Sequence, residues 1–63
     1  MNENYYEINL MSNKLFLKSY YSKVLPNVND KISLSENEVF FVEERLLPST
    51  DSNRIVLFGI ILK

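Results

Sequence analysis

KLFLKSYYSKVL, Lys14 to Leu25, decides between two folds. Wound as a helix, Phe16, Leu17, Tyr20 and Val24 lie on one side and Lys14, Lys18, Ser19, Ser22 and Lys23 on the other, with Ser12 as N-cap and Pro26 as the stop. Drawn out as a strand, Phe16, Tyr20 and Val24 share a face with Lys18 and Ser22, while Leu15, Leu17 and Tyr21 take the other. Aromatic side chains suit a pleated, half-buried surface, and we read Leu15 to Tyr21 as a strand. The helical reading leads to an α+β fold instead, four strands with one helix at 14–24.

The flanks are clearer. Upstream, Tyr6, Ile8 and Leu10 alternate with Glu7 and Asn9 through Met11, the period of a half-buried strand. Ser12-Asn13 follows as a turn signal. Downstream, Lys31 to Leu34 alternates with Ile32 and Leu34 inward, Ser35-Glu36-Asn37 is polar, and Glu38 to Leu46 is a strand with apolar residues on both faces. Pro48 to Asn53 is a run of turn formers. Arg54 to Leu62, RIVLFGIIL, is the strongest strand, and Gly59 inside it signals a bulge, a bend or a close approach of another backbone. Five strands at short spacing predict an all-β chain: a small antiparallel five-stranded barrel, closed or nearly so, or a curled sheet.

Sixty-three residues allow one domain, residues 1–63. So short a chain buries only about 60 % of its unfolded surface, and small domains usually add disulfides, a metal or an oligomer interface. Cysteine and histidine are both absent, which removes disulfides, thiolate sites and the commonest general base. A good core or a partner chain remains. The last strand points to the partner: Ile55, Leu57 and Ile61 face one way, and Val56, Phe58, Ile60 and Leu62 the other, so both faces are apolar. An exposed apolar patch of that kind marks an interaction surface. The expectation is a homodimer through Val56, Phe58 and Ile60 with Phe40 or Val42 opposite. A helix at 14–24 covering that face within one chain is the competing expectation.

Chemistry is sparse. Glu36, Glu38, Glu43 and Glu44 form the one acidic cluster; Glu38 and Glu44 on one strand face could in principle act as a carboxylate pair. A solvated hairpin face with Arg45 as ion-pair partner is the better reading, since a barrel this small has little room for a cleft. Asp30, Glu36 and Asp51 match no calcium-loop spacing, and Gly59 as sole glycine excludes a phosphate loop. We expect no enzyme, cofactor or metal. Net charge is -1, so no basic field tracks a nucleic-acid backbone. Tyr5, Tyr6, Tyr20 and Tyr21, with Lys14, Lys18 and Lys23 nearby, could form a single-strand-stacking platform; with balanced charge, a protein interface is the preferred use of these tyrosines. No apolar run approaches the roughly 20 residues of a membrane span, and MNENYYEIN lacks the regions of a signal peptide. The expected location is cytoplasmic.

Leu25 to Ile32, LPNVNDKI, is similar to an opening of small phage and prophage β-barrels of the SH3-like kind. Those read Pro-x-Val-Gly-Asp-x-Ile, then a hairpin with an aromatic-x-Val pattern and a basic residue three positions later, then a hydrophobic strand. Pro26, Val28, Asp30, Ile32, Phe40, Val42, Arg45 and Ile55 to Leu62 match, over residues 26–63. The glycine is replaced by Asn29, the residue that best tolerates positive φ after glycine, and Asp30 is placed to bond back to nearby amides. The resemblance implies a phage-encoded protein that binds a host protein, in some such cases a defence protein, and blocks it by steric occlusion. Tyr5, Tyr6, Tyr20, Tyr21 and Arg45 are the expected partner contacts.

Overall fold

The computed structural model describes residues 5–47 and 52–63; the start of the expected 48–53 loop lies outside them. Five strands form: β1 (Tyr6–Ser12), β2 (Leu15–Ser22), β3 (Lys31–Ser33), β4 (Val39–Leu46) and β5 (Arg54–Leu62). Among the described residues there is no helix, so the segment that opened the question is a strand. One curled sheet results, in the order β2-β1-β5-β4-β3.

The expectation of a wholly antiparallel sheet needs one correction. β1–β2, β3–β4 and β4–β5 are antiparallel, but β1 pairs β5 in parallel, Ile8 beside Ile55 and Leu10 beside Leu57. Five strands that reverse at each of four connections leave the first and last running the same way. A first strand that neighbours the last must therefore pair with it in parallel.

β1 turns into β2 through Asn13 and Lys14, both at positive φ (53° and 67°). Two left-handed central residues make a type I′ turn, whose twist matches the flanking strands. No Cα of β2 comes within 8 Å of one in β3, so β2 and β3 remain the free edges and the curl stops short of a closed barrel.

The segment between β2 and β3 crosses from one edge of the sheet to the other. There the Asp30 N–H donates to the Asn27 carbonyl at 3.0 Å, and Asn29 sits at φ 77°. Positive φ at the third position is the mark of a type II turn, so Asn29 holds the glycine-like place. The Asn27 N–H donates to Asp30 Oδ2 at 2.7 Å, and the Asn29 N–H donates to the Val42 carbonyl at 2.7 Å. Asn29→Val is expected to lose roughly 1–3 kcal/mol, the scale of a strained backbone position, with Asn29→Gly neutral or slightly stabilising. Urea melts of the three proteins decide; equal midpoints for the wild type and the Asn29→Val variant would dismiss the corner.

Ile8, Leu10, Phe40, Val42, Ile55 and Leu57 are fully buried on the concave side, and Leu17, Tyr20, Leu25, Ile32 and Leu34 pack against them. Each such large side chain is worth roughly 1.5–3 kcal/mol on burial. Two bulges drive the curl, one at Leu10/Met11 on β1–β2 and one between Val42 and Glu44 on β4; bulges bend a strand and raise its twist.

Candidate protein-interaction surfaces

The pleat sends alternate residues to opposite sides, and the ladders fix which side each takes. On β5, Ile55 and Leu57 are buried, while Phe58 and Ile60 are 37 % and 43 % exposed. This is the split the last strand announced. On β4 the outcome differs from expectation. Phe40 and Val42 are fully buried in the core and cannot form the outer interface assigned to them. Phe40 lies opposite Ile61 and Val42 opposite Gly59, whereas Phe41 lies opposite Ile60 and Val39 opposite Leu62. Val39 and Phe41 are thus the outward residues. In VFFV every position is apolar, so only pairing with β5 selects the phase.

The outer face continues across β1. Met11 lies beside Phe58 and pairs with Phe16 of β2, itself 58 % exposed. Leu46, opposite Val56, adds a further apolar residue. Phe58 therefore sits at the middle of an apolar band running from Val39 and Phe41 to Met11 and Phe16. Glu44 flanks it opposite Phe58, and Glu7 with Arg54 closes one end through an ion pair of 3.2 Å. Phe41, Met11 and Phe16 escaped the sequence reading because their membership depends on register and on the Leu10/Met11 bulge.

The bulge after Val42 also re-aims Arg45. Without it, Arg45 would share a side with Phe41. With Glu43 as the extra residue, Glu44 turns outward opposite Phe58, and Arg45 pairs with inward Leu57. Its Nη1 donates to the Pro26 carbonyl at 3.3 Å and to Asn27 Oδ1 at 3.1 Å. Arg45 thus braces the corner, and its guanidinium is engaged within the chain. The same shift parts Glu44 from Glu38, which shares the phase of inward Phe40, so the two carboxylates do not face a common substrate position.

The four tyrosines do not meet on one surface. Tyr20 opposes Ile8 and belongs to the concave side; Tyr6 has the same phase. Burial pushes the Tyr20 hydroxyl above its ordinary pKa. Tyr21 opposes Glu7 on the outer side and is 66 % exposed. Tyr5 carries Lys23 over its ring at 5.4 Å. Alternation along β1 and β2 splits the set, so no continuous stacking platform forms from all four.

Among the described residues no three acidic side chains converge to hold a metal ion. Among them, too, no helix is long and apolar enough to cross a membrane. Comparison with protein-family models, curated proteins and solved structures gives no match to this chain.

Proposed function

We propose that the chain is a small, non-catalytic protein-binding module that works as a homodimer, two copies packing their outer sheet faces together. The observation that carries this reading is the apolar band of Val39, Phe41, Val56, Phe58, Ile60 and Met11 on the side away from the core, bordered by Glu44 and Asn9. Two apolar sheet faces pack about 10 Å apart with interdigitated side chains. Strands spaced about 4.8 Å and rising about 3.3 Å per residue make the five-stranded face roughly 24 by 27 Å, on the order of 600 Å². Two such faces bury about 1,200 Å² between them, the lower limit of the range for a stable interface. A two-fold axis near Phe58 would set the Phe41–Ile60 end of one copy over the Met11–Phe16 end of the other, an isologous contact.

The dimer would leave the strand edges free for a further protein. The resemblance to small prophage barrels makes a host protein the class to look for, and occlusion of its surface the mode of action.

Sedimentation equilibrium at tens of micromolar is expected to give twice the 7.4 kDa of one chain. Phe58→Asp places a charge at the centre of the contact and is expected to give the single-chain mass with an unchanged far-ultraviolet spectrum. A wild-type chain that stays monomeric overturns the dimer. Pull-down from a bacterial lysate tests the second step: one stoichiometric protein supports occlusion, and recovery of nucleic acid alone overturns it.

A further inference from the structure

β2 and β3 are free edges that run in opposite directions and border one groove. No Cα of β2 lies within 8 Å of a Cα of β3, too far for the spacing of about 4.8 Å that a ladder requires. A single strand inserted between them would need edges roughly 9.6 Å apart, two ladder steps. Side chains from both edges nonetheless line a shared space of about 140 Å³: Lys18 and Tyr20 from β2, Ile32 and Ser33 from β3, and Leu34 just beyond, over Leu10 at the floor. That is well below the roughly 300 Å³ at which small-molecule sites begin, and it suits a few side chains of an extended backbone.

Hydrogen bonding on β3 settles which groups are on offer. Val42 N–H donates to the Asp30 carbonyl and Leu34 N–H to the Glu38 carbonyl. In an antiparallel ladder residues of that phase point at the partner strand, so Ile32 is committed to β4 and the backbone of Lys31 and Ser33 faces the open edge. Charge is on offer too. Lys18 lies opposite Leu10 at the groove, and among the described residues the ion pair formed is Arg54–Glu7, leaving Lys18 without a carboxylate.

We propose that this seam takes an extended segment of a partner protein as a sixth strand, antiparallel to β2, with apolar side chains alternating into the groove and one carboxylate on Lys18. This is strand addition at a place distinct from the outer face, and it holds whether or not the chain dimerises there.

The probe is the capped heptapeptide Thr-Val-Thr-Glu-Thr-Val-Thr, titrated into ¹⁵N-labelled protein. Saturable shifts are expected at the Lys31 and Ser33 amides and along β2, with slowed hydrogen exchange at those two amides. Glu→Lys in the peptide is expected to weaken binding by about threefold or more, the scale of an exposed ion pair. Lys18→Glu in the protein should reverse that preference. The monomeric Phe58→Asp variant should bind the peptide as the wild type does, so loss of the dimer and loss of the seam read out separately. Three outcomes would overturn the proposal: no saturable shift at millimolar peptide, shifts confined to Phe41, Phe58 and Ile60, or concentration-dependent protection of Lys31 and Ser33 without peptide, which would mean a second copy fills the seam.

Discussion

Gly59→Ala is expected to destabilise the protein by about 3 kcal/mol or more, the upper range for forcing extra volume into a packed site. In an ordinary strand position the sign would be opposite, because alanine gains roughly 0.5–1 kcal/mol over glycine from reduced backbone entropy. Here an added Cβ would collide with the Phe41 carbonyl oxygen and lie 2.9 and 3.0 Å from two ring atoms of Phe40. The ring can tilt away. The carbonyl belongs to the backbone of β4, one residue before the strand bulges after Val42, opposite Gly59. Relief therefore requires β4 and β5 to separate, which dissolves the central ladder. A domain of this size holds only about 3–5 kcal/mol in its core, so urea melts at fixed protein concentration should show the cooperative transition lost or moved close to zero denaturant. A transition at the wild-type midpoint would mean that the two strands do not approach this closely.

Phe40→Ala should cost about 3–5 kcal/mol, the range for emptying a buried aromatic site. Phe40 is the largest fully buried side chain, lies between Ile32 on β3 and Ile61 on β5, and covers Gly59. Its removal takes away the one large group that joins the β3–β4 side of the curl to β5. The neighbouring Phe41→Ala is the informative comparison, since the two phenylalanines are indistinguishable by composition. Measured in the monomeric Phe58→Asp background, so that the outer contact does not contribute, Phe41→Ala should cost about 1 kcal/mol, as befits a partly exposed side chain. Equal losses for the two would mean that the assignment of core and outer faces on β4 is wrong.

The two substitutions bear on function through one geometric fact. The central strand β5 is apolar on both sides, β4 is so over Val39 to Val42, and the core uses only one side of each. The outer side is left uncovered within one chain, and its residues are chosen by the phase of β4 against β5. The seam between β2 and β3 has a related origin: five strands curl far enough to bury six side chains fully among the described residues but not far enough to pair the edges.

Local chemistry in the chain determined the elements. Alternation at Tyr6 to Leu10, the corner with Asn29 at its left-handed position, and the β-branched run from Arg54 are all short-range properties; the run from Leu15 also lays out a helical face, and pairing with β1 makes it a strand. The division of β5 into an inner and an outer set was legible for the same reason, because a period of two needs no knowledge of neighbours. What needed tertiary structure was everything carried by pairing between distant segments. The parallel match of β1 with β5, the inward phase of Phe40 and Val42, the bulge that turns Arg45 from an outer anchor into a brace for Pro26 and Asn27, and the separation of Tyr20 from Tyr21 depend on register. Register is a non-local quantity: in a strand such as VFFV, shifting the ladder by one residue exchanges one apolar face for another at little cost in hydrophobicity, and only the closed space beside Gly59 and the fit of Phe40 over it decide which face goes inside.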